Sequence, residues 1–163
     1  MRRVASTMTR RVRMCAGLLS ALLLLTAGAG AQDTSPATTP VPVTKPTVAG
    51  VTNFAKLQST IACAGATTSV GVAEVKKMGY RSIINLREAT EPGSDVEGAS
   101  AAARQAGIKY VHLPFNSGSP DPAVVEQFLQ AVADPSGQPV FVHCASGNRA
   151  AALWMIKRLV VDG

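Results

Sequence analysis

Aromatic side chains are scarce in this chain: four Phe, two Tyr and one Trp among 163 residues, 4% of the total. Its core must therefore be largely aliphatic. Histidine occurs only at His112 and His143, and no two cysteines stand at metal-ligand spacing, which argues against a structural zinc site. There is no Walker-type phosphate loop. Charged residues reach only 16% against 47% apolar, a balance that excludes disorder of the whole chain. Acidic residues are missing before Asp33, while Arg2, Arg3, Arg10, Arg11 and Arg13 crowd the first thirteen positions. That asymmetry explains the formal charge of +6: without residues 1–31, 11 basic groups face 10 acidic ones, a net of +1. A nearly neutral remainder removes the electrostatic case for nucleic acid.

What is present begins with a leader. Behind the arginines, Met14 to Leu25 is apolar, and Ala29-Gly30-Ala31 offers a small-residue cleavage site before Gln32. This is the pattern of a secretory signal peptide over residues 1–31, so export to a bacterial periplasm or beyond is expected. An uncleaved single anchor is the alternative, disfavoured by a short apolar stretch that ends in Gly and Ala. Residues 32–47 carry Pro36, Pro40, Pro42 and Pro46 among Thr and Val, and read as an extended linker. One domain then occupies residues 48–163.

Within that domain, strand and helix patterns alternate. Apolar runs at Thr60–Ala64, Arg81–Leu86, Ile108–Phe115 and Pro139–His143 have the length and composition of buried strands. Helices are expected over Ser69–Met78, Val96–Ala106 and from Pro122 to about Val132, the last with Asp121 as N-cap. Arg149 to Val161 reads as a helix apolar on most faces, hence an interior one, with Trp154 in the core. The order predicts an α/β fold, a mainly parallel sheet flanked by helices.

The chemical signal is Val142-His143-Cys144-Ala145-Ser146-Gly147-Asn148-Arg149, joining the last strand to the last helix. Open α/β sheets bind ligands at such turns. Backbone N–H groups and a helix N-terminus favour the thiolate of Cys144. The same amides of Ala145, Ser146, Gly147 and Asn148 can cradle an anion, and Arg149 can add a bidentate cation. The plain alternative is a buried Cys beside a capping loop, with Arg149 paired to a surface acid. With the leader removed, Cys63 and Cys144 are the remaining cysteines, and in an oxidising compartment they could pair. Cys63 also reads as a small core residue. Glu91 and Glu97 could each orient Arg149 or simply favour a helix start, and His112 reads as a structural histidine.

At His143 to Arg149 the chain resembles the cysteine-dependent protein phosphatase superfamily. With Asn53-Phe54, Gly65, Gly79-Tyr80, Asn85-Leu86-Arg87, Glu91, Glu97 and Tyr110-Val111-His112-Leu113-Pro114 it resembles more closely the phosphatase-like domain family of beta-lactamase-hydrolase-like proteins. The resemblance covers residues 48–163. It implies a dual-specificity-phosphatase-like fold, a nucleophilic Cys144, oxygens held by Arg149 and the loop, and His143 supporting that loop. No metal or cofactor is expected. The implied partner is a small phosphorylated substrate or a phosphoprotein, with membrane contact only through an uncleaved leader and a monomeric state.

Three departures from the superfamily stand out. Four residues separate Cys144 from Arg149 where those phosphatases have five, and Ala150 follows the Arg where they usually carry Ser or Thr. Their general-acid Asp falls in the loop after the strand at Ile108–Phe115, where this chain has Asn116 and Ser117. Asp121 is the nearest carboxyl, as acid or as N-cap. A four-residue spacing is also that of rhodanese-type sulfurtransferases, whose persulfide chemistry on a sulfur-containing substrate needs no acid on an oxygen leaving group. Phosphatase, sulfurtransferase and a non-catalytic anion-binding module therefore all stand as readings.

Overall fold

The computed structural model describes residues 45–163; the expected leader and most of the linker lie outside the described residues. The chain folds in the order β1 (Ala55–Gln58), β2 (Ile61–Ala64), α1 (Ser69–Lys77), β3 (Ser82–Asn85), α2 (Val96–Ala106), β4 (Lys109–His112), α3 (Pro122–Ala133), β5 (Val140–His143) and α4 (Asn148–Lys157). The strands form one sheet in the order β1-β2-β5-β3-β4. Strands β2, β5, β3 and β4 run parallel, and β1 adds an antiparallel edge. The expected mainly parallel α/β fold is what forms. The short strand β1, with its alternating half-buried pattern, went unmarked because Lys56 and Gln58 interrupt any apolar run.

Alternation along the strands sorts the core into two layers. Phe141, Ile83, Ala62 and Ala64 face Val72 and Val75 of α1 and Ala99 and Ala103 of α2. Val140, Val142, Ile84, Ile61 and Cys63 face Phe128 and Val132 of α3 and Ala150 and Leu153 of α4. The first layer gathers three of the few aromatic rings: Phe54, Tyr80 and Phe141, with centroids 5.8 to 6.3 Å apart. Polar side chains secure the element ends. Thr68, Asp95 and Asp121 cap α1, α2 and α3, and Gly107 closes α2 in the left-handed conformation.

The last helix departs from expectation. It ends at Lys157, and the chain continues through a π-helical turn, Arg158–Asp162. Only Ala150 and Leu153 of α4 are buried, whereas Met155, Leu159, Val160 and Val161 are 58–74% exposed. Trp154 is half-buried at the edge of the core, with the Lys157 ammonium 5.0 Å above its ring. An apolar composition suggested an interior helix, but α4 meets the sheet on one stripe only.

Phe141 is fully buried at the centre of the aromatic cluster. Phe141→Ala should lower unfolding stability by about 3–5 kcal/mol in urea titrations, a cost that a surface ring would not incur.

Candidate active site

Strand β5 ends at His143, and α4 begins at Asn148, so Cys144 to Gly147 make a four-residue turn at the carboxyl end of the parallel sheet. Gly147 stands at φ 102°, a conformation that costs a side chain dearly. No side chain caps the helix that follows. Its first N–H groups are thus left for an acceptor in the turn. The Cys144 sulfur takes one: Gly147 N donates to Sγ at 3.1 Å. Burial alone would raise the Cys144 thiol, but the amides of Ala150, Gly147, Ser146 and Arg149 outweigh it and bring its pKa below the ordinary value.

The turn is pinned from behind. Ala66 N donates to Ala145 O at 2.9 Å, and Asn53 Nδ2 donates to Ser146 O at 3.0 Å. Asn53 itself adopts φ 50°, which aims its amide at the turn. Gly65 permits this contact, since a Cβ there would lie 3.1 Å from Ala145 O and 2.4 Å from Thr52 Oγ1. With these two carbonyls held outward, the turn keeps its N–H groups for the interior. A cleft of about 300 Å³ lies beside it, lined by Lys45, Asn53, Leu57, Cys63, Ser146 and Asn148 among others.

Arg149 is fixed by the loop after β3. Its Nη1 donates to Glu91 Oε1 at 2.5 Å and to the carbonyls of Leu86 and Phe115, and its Nη2 donates to Glu91 Oε2 at 2.7 Å. That leaves the Nε–H and the second Nη2 proton, one edge of the fork, for an oxyanion. Glu91 also accepts from Arg87 Nε and from the Glu88 amide. The Arg149 hydrogen bonds overcome partial burial and, with those from Glu88 and Arg87, hold its carboxyl down at about 2. Of the two carboxylates considered for this task, Glu91 performs it; Glu97 is exposed in the first turn of α2. Arg87 is almost fully buried, donating also to the Pro92 and Gly93 carbonyls, and sequence reading gave it no role.

Other candidates fall elsewhere. His143 packs its ring against Phe141 on the sheet face opposite Cys144, and neither ring nitrogen has a hydrogen-bond partner. It supports the turn through its backbone, its carbonyl accepting from Leu86 N at 2.9 Å, rather than through its ring. Burial, with Arg87 and His112 nearby, depresses its pKa to about 4. His112 Nε2 meets the Arg87 carbonyl at 2.8 Å, a structural contact. Asp121 is exposed and caps α3, Oδ1 accepting from Ala123 N at 2.8 Å; it touches neither Cys144 nor Arg149. Cys63 and Cys144 are both free thiols, so the considered disulfide is not formed. Burial, and then Cys144 itself, push the Cys63 thiol up to about 12. Among the described residues, no three His, Cys, Asp or Glu side chains gather as a metal cage.

Residues 53–160 match the family model of the beta-lactamase hydrolase-like protein, phosphatase-like domain. The chain belongs to that family. A beta-lactamase hydrolase-like protein of Xylella fastidiosa is 44% identical over 91 residues, 53% of this chain and 20% of that protein. One from Agrobacterium fabrum is 30% identical over 105 residues, 62% of this chain and 24% of the other. The chain thus spans a fifth to a quarter of these curated relatives. Solved structures share the fold of this phosphatase-like family. A DUF442 protein of Shewanella putrefaciens, described as a phosphatase, has a TM-score of 0.62 at 24% identity, covering 68% of this chain and 69% of that one. A Cys-to-Ser variant of TpbA from P. aeruginosa, in complex with phosphotyrosine, scores 0.58 at 20% identity, covering 77% and 74%. The catalytic core of the S. cerevisiae PP-IP phosphatase Siw14 scores 0.54 at 18% identity, covering 69% of each chain.

Two tests follow from this geometry. Cys144 exposes no surface, so reagents must enter through the anion cradle. Iodoacetate should therefore alkylate Cys144 faster than neutral iodoacetamide, inorganic phosphate should protect it, and Cys63 should stay unmodified in the folded chain. Equal rates with the two reagents would deny the cradle its charge preference. Glu91→Gln should release Arg149 and cost about 10²-fold in binding-dependent turnover, as misplacement of a catalytic group commonly does. The variant should also alter acid stability in one window only. Ionised Glu91 stabilises the fold fully above about 4.5, and that contribution is lost as pH falls toward 2. His143, depressed from 6.5 to about 4, costs stability across the higher window, which the variant should retain. Melting temperatures across both windows measure this.

Proposed function

We propose that this chain is a cysteine-dependent phosphatase acting on a phosphate ester. One observation carries the reading: the free edge of the Arg149 fork, the uncapped amides of α4 and the acidified thiol of Cys144 belong to one turn. In this mechanism the Cys144 thiolate attacks phosphorus, and the S–P bond forms as the bond to the leaving oxygen breaks. The non-bridging oxygens take hydrogen bonds from the amides of Ala145 to Arg149 and from the guanidinium. Glu91 holds that guanidinium in register. Water then attacks the phosphocysteine, releasing inorganic phosphate and restoring the thiolate.

Family membership supports the phosphatase class. The complex of the TpbA variant with phosphotyrosine makes an aromatic phosphate ester a reasonable first substrate. The leader pattern at residues 1–31 supports an exported enzyme whose substrate is met in the periplasm or outside the cell. Sulfurtransfer is the second reading, favoured by the four-residue interval between Cys144 and Arg149. There the same thiolate would take a sulfane sulfur from thiosulfate and pass it to cyanide, with sulfite leaving as an anion.

The two readings separate in paired assays. The full chain should hydrolyse p-nitrophenyl phosphate, Cys144→Ser should abolish turnover, and Arg149→Lys should weaken vanadate inhibition because an ammonium lacks the planar fork. Thiosulfate-to-cyanide transfer with a one-sulfur mass gain on Cys144, and no ester hydrolysis, would replace the phosphatase by the sulfurtransferase.

A further inference from the structure

At the carboxyl ends of β5, β3 and β4, His143, Asn85 and His112 stand side by side in register. Alternation from Phe141, Ile83 and Tyr110 puts all three on the sheet face that carries α1 and α2. Two of them grip the loop that follows β3. Asn85 Nδ2 donates to the Tyr110 hydroxyl at 2.8 Å, which turns its Oδ1 toward the Arg87 N–H, 2.9 Å away. The Arg87 carbonyl can only accept, so His112 Nε2 donates to it, at 2.8 Å. Both polar groups of the Arg87 backbone are thus held by side chains of the sheet.

The Arg87 side chain is only 8% exposed, and its fork is spent on one short stretch of chain. Nε donates to Glu91 Oε2 at 3.3 Å, Nη2 to the Pro92 carbonyl, and Nη1 to the Gly93 carbonyl at 2.9 Å. Arg87 therefore holds both the carboxylate of Glu91 and the backbone that leaves it. A guanidinium is costly to bury, and this one is answered by a carboxylate that Arg149 also uses. Two guanidiniums on one carboxylate leave the three side chains with an excess of positive charge. A bound oxyanion would balance it.

We propose, resting on the phosphatase reading, that Arg87 is a positioning residue for the phosphate site, acting through Glu91 on Arg149. Asn85 and His112 fix Arg87, Arg87 fixes Glu91, and Glu91 turns one edge of the Arg149 fork toward the ligand. Polar residues at the strand ends then set the affinity for the oxyanion. Lysine cannot replace Arg87, because an ammonium keeps the charge but has no planar fork to span Glu91, Pro92 and Gly93.

A double-mutant cycle in the full chain tests this, with inorganic phosphate as the probe. The dissociation constant of phosphate is read from its protection of Cys144 against iodoacetamide. Arg87→Lys should weaken phosphate binding about 10-fold in the parent chain, and less than about 2-fold in a chain that already carries Glu91→Gln. His112→Phe, at a half-buried position, should give a smaller loss with the same dependence on Glu91, and it carries the test alone if Arg87→Lys does not fold. Equal losses in the two backgrounds would overturn the proposal. A lower melting temperature with unchanged phosphate binding would overturn it too, leaving Arg87 a structural residue only. If the parent neither binds phosphate nor hydrolyses p-nitrophenyl phosphate, the phosphatase reading falls, and this proposal with it. A parent that hydrolyses the ester but shows equal losses removes this proposal alone.

Discussion

The two-pronged ion pair between Glu91 and Arg149 ties together parts of the chain that the sheet alone would leave independent. It joins the loop after β3 to the first turn of α4, 58 residues apart in sequence. Both partners are largely buried, at 18% and 16% side-chain exposure, so the pair is screened far less than a surface bridge. Breaking it would leave a buried charge without its partner, a costlier event than never having had the pair. Because Glu91 uses one side of the guanidinium, the pair also decides which side faces a ligand.

The site rests on the sheet in the same sense. Parallel strands β2, β5 and β3 end side by side, with Ala64, His143 and Asn85 in register. The groups that hydrogen-bond Cys144 and Arg149 emerge from those three strand ends, from the turn before α4 and, through the Phe115 carbonyl, from the segment after β4. Asn53 and Gly65 arrive on the β2 side and Leu86 to Glu91 on the β3 side, so the turn at Cys144 is held between two loops of fixed geometry. The core beneath is apolar on the α3 and α4 side, where burial, and then Cys144 beside it, push the Cys63 thiol up to about 12. Cys144, by contrast, accepts from backbone amides that bring it below its ordinary value, so hydrogen bonding sets the two thiols apart.

Much of this could be read from the residues. The strands at Ile83, Val111 and Val142 are apolar runs bounded by turn residues, and periodicity finds such segments without help. The turn from Cys144 to Arg149 was legible because its chemistry is local: nucleophile, glycine and cation lie within six positions. What escaped was long-range. Glu91 and Glu97 are equivalent on paper, and only the path of the loop after β3 brings one of them to Arg149. Arg87 looked like an ordinary charge beside a strand until the loop folded its own carbonyls around it. The α4 helix misled for a different reason: an apolar composition reports how much could be buried, not how many faces a two-layered core has available.

The two carbonyls pinned behind the turn have a consequence for selectivity. A peptide plane presents either a hydrogen or an oxygen to a cavity, and turning it over reverses the sign of what the cavity will accept. Asn53 and Ala66 hold the Ala145 and Ser146 planes with oxygen outward. The direction in which this turn presents its N–H groups is therefore set by residues more than 75 positions upstream in the chain. With those two planes inverted, two carbonyl oxygens would replace two N–H groups and the turn would suit an anion less well. The polarity of the site is in that sense a property of its scaffold.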